Sequence, residues 1–73
     1  MDAISVDTTV KTSLALVRAK LEKALRIATA AEACAVSGRT KKGMEVALSL
    51  EPLVHELSTL LNAVSMTNRL GRS

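Results

Sequence analysis

The sequence predicts an all-α protein: an antiparallel helical hairpin of two long helices, the second kinked or broken near Pro52, assembling with a second copy into a dimeric four-helix bundle. Three observations predict it. Glycine and proline are scarce, and Gly38 and Gly43 gather the chain's punctuation into residues 37–43. The stretches on either side are rich in Ala, Leu, Lys, Glu and Arg, which favour helix. Apolar residues recur along both stretches in steps of three and four, the helical period, and nothing alternates with the period of two that a strand needs. A chain of 73 residues holds one small domain and excludes a two-domain enzyme. The domain spans 1–73, with a helix over about 8–37, a turn at 38–40 and a helix over about 41–69.

The first helix rests on Val10, Leu14, Val17, Leu21, Ala24, Ala28, Ala31 and Ala35, an unbroken seam of the coiled-coil type. Ser5, Asp7 and Thr9 are candidate N-caps. Gly38 is the natural residue after the helix end, because it enters the left-handed region without a Cβ clash.

The second helix repeats the pattern with Ala47, Leu50, Val54, Leu57, Leu61 and Val64. Thr40 is a candidate N-cap, Arg69 suits the negative end of the helix dipole, and Gly71 suits the stop. Pro52 falls inside and leaves the Leu48 carbonyl without an amide partner. Its position opposite the seam favours a bent, continuous helix; the alternative is a break at Leu50–Glu51 with Pro52 opening a third helix.

Folding the chain back around residue 39 pairs Leu14 with Val64, Val17 with Leu61, Leu21 with Leu57, Ala24 with Val54, Ala28 with Leu50, Ala31 with Ala47, and Ala35 with Gly43. The pairs shrink toward the turn, so the backbones should approach most closely there. Charge agrees: the first helix and turn are basic, whereas Glu45, Glu51 and Glu56 make the second helix acidic.

Two helices sharing one seam make a poor core at this length. Leu25, Ile27 and Cys34 on the first helix and Val46, Leu53 and Leu60 on the second are read as lying outside the seam, a flank that implies a partner. Leu16, Leu48 and Met66 are further candidates. A second copy is the simplest partner, and a different helical protein is the other.

Composition narrows function. Apolar residues make up 48%, too many for a disordered tail. Aromatic content is 0%, which removes stacking platforms for single-stranded nucleic acid, aromatic cages and an aromatic membrane belt. The longest uncharged run, Leu57 to Asn68, is too short and too polar to span a bilayer. The first residues carry Asp2 and Asp7 and no early base, unlike a signal or transit peptide. One cysteine makes no internal disulfide and fits the cytoplasm.

No pattern for catalysis stands out, and no enzyme activity, cofactor or metal is expected. His55 reads as a surface histidine paired with Glu51; metal ligation by that pair in a dimer and phosphate acceptance are the less favoured alternatives. Cys34 reads as a buried, inert thiol far from the only histidine. The turn carries Arg39, Lys41 and Lys42, and the first helix adds Arg18, Lys23 and Arg26, a candidate contact for an acidic partner or nucleic acid.

Two functions compete. The first is a small protein–protein interaction module, an adaptor, co-chaperone or regulatory subunit acting through an apolar helix face. In length and layout the chain resembles the helical-hairpin co-chaperones of type III secretion, with Leu-rich helices such as Leu21-Glu22-Lys23-Ala24-Leu25 around a polar turn. The second is binding of RNA or DNA through the first helix and the basic turn. The layout also resembles the plasmid RNA-regulating Rop family, which implies a basic RNA-binding face at Arg18, Lys23 and Arg26. That family uses an aromatic residue on this face, and this chain has none. The net charge of only +3 favours the first function.

Overall fold

A computed structural model describes the backbone over residues 3–72 and side-chain environments over residues 6–69. The chain forms three helices, α1 (Ala3–Val36), α2 (Thr40–Leu48) and α3 (Leu50–Arg72). Helices α2 and α3 return along α1 as one kinked arm. The molecule measures 54 × 15 × 13 Å, so its length is essentially that of α1.

Helix α1 begins earlier than predicted, and Ser5, Asp7 and Thr9 lie within it rather than capping it. The segment Val6–Val10, β-branched at every position but Asp7, is a weak helix former by itself. Tertiary cover from the far end of α3, where Thr67 is buried, offsets that weakness. Asp7 also pairs with Lys11 one turn on, at 2.9 Å.

The turn closes as Gly38 permits. Its φ of +92° is in the left-handed region. The Gly38 amide donates to the Ala35 carbonyl at 3.1 Å and the Arg39 amide to Cys34 at 2.8 Å, the paired closure of a Schellman motif. Thr40 is the first residue of α2 and not its cap; that place falls to Arg39, which makes no side-chain capping bond.

The kink sits at Ser49, one residue between α2 and α3. There the Ser49 amide and hydroxyl both donate to the Val46 carbonyl, at 3.1 and 2.6 Å. Pro52 is the third residue of α3, where its missing amide costs the first turn nothing. Gly71 does not stop the helix, which runs to Arg72.

The helices pack on a seam rotated from the predicted one. On α1 the residues shielded by the returning arm are Val10, Ser13, Val17, Lys20, Ala24, Ile27, Ala31 and Cys34. On the arm they are Gly43, Val46, Ala47, Leu50, Leu53, Leu57, Leu60, Val64 and Thr67. The columns Val10–Val17–Ala24–Ala31 and Leu50–Leu57–Val64 are as predicted. Leu14, Leu21, Ala28, Ala35, Val54 and Leu61 lie outside, exposed, and their neighbours one position earlier take their places. Each stripe is thus turned by about 50° about its own axis.

The predicted close approach at the turn is present. A Cβ placed on Gly43 would stand 2.7 Å from the Ala31 carbonyl oxygen and 3.5 Å from the Ala35 Cβ. Ala31→Leu, at this tight end, is therefore expected to destabilise the fold by about 1–3 kcal/mol. Ala33→Leu, on the exposed side, should have little effect. Equal melting temperatures for the two variants would refute the placement of Ala31.

Candidate interaction face

The rotation decides what the hairpin leaves uncovered. Of the residues assigned from sequence to a partner-facing flank, Ile27, Cys34, Val46, Leu53 and Leu60 are instead on the intramolecular seam. Leu53, 6% exposed, is the only buried hydrophobic side chain among the described residues. Only Leu25 of that group stays clear of the seam. The reason is geometric: each helix carries apolar columns wider than one neighbour covers, and apolar spacing does not say which edge turns inward.

The columns turned outward share one side of the hairpin. Seen with α1 rising toward the observer, successive residues of α1 advance anticlockwise and those of the descending arm clockwise. A position one residue after the seam is then displaced to the same side on both helices. Leu14 and Leu21 from α1 (49% and 52% exposed) and Val54 and Leu61 from α3 (61% and 53%) lie together on that side. Leu25, 68% exposed, borders them on α1.

Axial level follows from the contacts that cross the seam. Lys20 meets Glu56, and Gly43 abuts Ala31 and Ala35. Leu14 and Leu61 therefore share a level near the open end, Leu21 and Val54 share the middle, and Ala28 lies toward the turn. On α1 the face grades from Leu at the open end to Ala toward the turn.

The opposite side is mixed, with the exposed Leu16 beside charged groups. The Lys20 ammonium donates to Glu56 at 2.7 Å, the one ion pair between the helices among the described residues. The hydrogen bond and charge of Lys20 hold the Glu56 carboxyl below its usual range. Since folding lowers this value, the stabilisation is present above pH 4.5 and is lost as pH falls through the lowered value. Both side chains are partly exposed, so water and salt screen the pair and the effect is small. Acid titration of thermal stability should show wild type losing more below pH 4.5 than Glu56→Gln, and identical acid profiles would refute the pairing.

The basic residues do not converge. Arg18, Lys23 and Arg26 are exposed, but their positions fan over about 140° of α1. Arg18 is also engaged by Glu22 at 3.0 Å. Arg39, Lys41 and Lys42 are exposed at the turn, far from the Arg18 level. His55 is exposed, its carbonyl accepts the Thr59 hydroxyl at 3.1 Å, and the expected pair with Glu51 is not among the ion pairs of the described residues. Cys34 is a half-buried free thiol on the seam, not on the flank where the sequence reading put it. Among the described residues no cluster of three or more His, Cys, Asp or Glu is placed to hold a metal ion, and no helix is long and apolar enough to cross a membrane.

Comparison with protein-family models, curated proteins and solved structures finds no match. The functional reading rests on the chain's own residues.

Sequence reasoning missed the polar members of the seam, Ser13, Lys20 and Thr67. Apolarity carries no signal for them. The Thr67 hydroxyl is satisfied within its helix by the Ala63 carbonyl at 2.9 Å, which permits its burial. Lys20 was legible in principle, because Glu56 stands at nearly the same level of the opposite helix once the chain is folded at its turn.

Proposed function

We propose that this chain is a helical protein–protein interaction module whose working surface is the apolar face of Leu14, Leu21, Leu25, Val54 and Leu61, and that it self-assembles through that face as a dimeric four-helix bundle. The observation that carries this reading is the placement of these exposed side chains on one side of the hairpin. The free Cys34 thiol suits a reducing compartment such as the cytoplasm.

Surface area supports it. The hairpin exposes 5530 Å². A compact monomer of 7.7 kDa exposes about 4,300 Å², leaving an excess of about 1,200 Å². Covering that excess on two copies removes about 2,400 Å², within the range of permanent homodimers. The radius of gyration, 16.7 Å, likewise exceeds the roughly 11 Å of a compact domain of this length.

The test is molar mass in solution across a dilution series. Wild type is expected as a dimer at micromolar concentration. Leu21→Glu removes a large apolar side chain from both copies, about 1.5–3 kcal/mol each, and should weaken association at least about 100-fold. Replacing Arg39, Lys41 and Lys42 together by Ala should leave assembly intact. A stable, well-folded wild-type monomer at micromolar concentration refutes the dimer. Submicromolar binding of a short RNA or DNA duplex at physiological salt, lost in the triple Ala variant, would favour the nucleic-acid function instead.

A further inference from the structure

The gradient of side-chain size along the apolar face says how two copies meet. Resting on the dimeric reading above, we infer that the second copy docks with its turn at the opposite end of the bundle, α1 against α1 and α3 against α3.

The hairpin is itself graded. Its backbones touch at the turn, where Gly43 leaves no room for a Cβ against Ala31, and Leu- and Val-lined seams hold the helices apart elsewhere. The outward face follows the same gradient, Leu14 and Leu21 toward the open end, then Ala28 and Ala35 toward the turn. Reversing one copy makes these columns complementary. Leu14 then faces Ala35 of the second copy, and Leu21 faces Ala28 of the second copy. On the other helix pair Val54 lies within about one helical turn of the same two-fold axis. Large side chains fill the space that small ones leave, and the layers keep an even separation.

Docking with both turns at one end would set Leu14 against Leu61 and Leu21 against Val54, with only the small Ala28 and Ala35 of α1 left toward the turn. Bulk would then accumulate at the open end and voids at the turn. Charge favours the reversed arrangement as well. Arg18, Leu25 and Glu32 form one column along the rim, seven residues apart. With Leu25 at the two-fold axis, Arg18 of each copy, which meets Glu22 of its own helix at 3.0 Å, falls opposite Glu32 of the other and can bridge both carboxylates.

Spin-label distances decide it. A label is attached at Ser37→Cys or, independently, at Thr12→Cys, each in a Cys34→Ala background and each at an exposed position away from the face. Both sites lie 12–13 residues from Leu25, so reversed docking places like labels roughly 35–45 Å apart. Docking with turns together places them within roughly 25 Å at both sites. Long distances at both sites support the inference. A dimer with short distances overturns the reversed arrangement and leaves self-association standing. A single-chain mass for the labelled proteins and for wild type at micromolar concentration overturns the dimer itself, and with it this inference.

Discussion

Leu53→Glu is expected to abolish the helical hairpin at every protein concentration. Leu53 is the most enclosed apolar side chain described, at 6% exposure. Truncating such a residue costs about 2–5 kcal/mol, and a carboxylate adds the cost of desolvating a charge. A hairpin with so small a core has no comparable reserve. Leu61→Glu makes the same chemical change about two helical turns away, on the outward column. It should weaken association while leaving the seam able to form, so helical content should return as concentration is raised. Far-UV circular dichroism over a wide concentration range separates the two. If Leu61→Glu stayed as unfolded as Leu53→Glu at millimolar concentration, the assignment of seam and face would be wrong.

The second large effect is a reversal of sign. Replacing a glycine within a helix by alanine ordinarily stabilises by about 1 kcal/mol. Gly43→Ala is expected to do the opposite. The new Cβ would stand 2.7 Å from the Ala31 carbonyl oxygen and 3.3 Å from the Ala35 amide nitrogen. Both are backbone atoms of α1, so no side chain can rotate away and the helices must separate. Overpacking of this kind costs about 1–3 kcal/mol, enough to outweigh the propensity gain. A net loss of about 1 kcal/mol corresponds to a fall of roughly 4–8 °C in melting temperature for a domain this small. Gly43→Val, bulkier and a poorer helix former, should lose more. A rise in melting temperature for Gly43→Ala would show that the helices do not touch at this point.

Local features were legible where local chemistry decides them. Gly38 announced the turn because a left-handed residue after a helix favours glycine, and its φ of +92° agrees. The small residues Ala31, Ala35 and Gly43 announced the close approach because small side chains permit it. Helix ends were less legible. Residues 6–10 have weak intrinsic propensity, yet belong to α1, where Val6 and Val10 are half-buried. Pro52 announced a disturbance, but the interruption lies at Ser49, three residues earlier, on the carbonyl side of the missing hydrogen bond.

The candidate site was legible only as a quantity of apolar surface. From periodicity alone, Leu53 and Leu60 stood outside the seam and Val54 and Leu61 within it, and the structure reverses them. Adjacent columns on a helix differ by about 50°, and three neighbouring apolar columns present the same repeat whichever pair faces inward. The amino-acid sequence by itself determined two long helical arms, the glycine turn between them, the tight end at Gly43 and the excess of apolar side chains. Only the tertiary structure decided which columns each helix buries and which it leaves outward, and so put Leu21, Val54 and Leu61 on one face. That choice depends on how the two stripes fit each other across the seam, with Lys20 meeting Glu56 on one side. It is a property of the pair, which neither helix encodes alone.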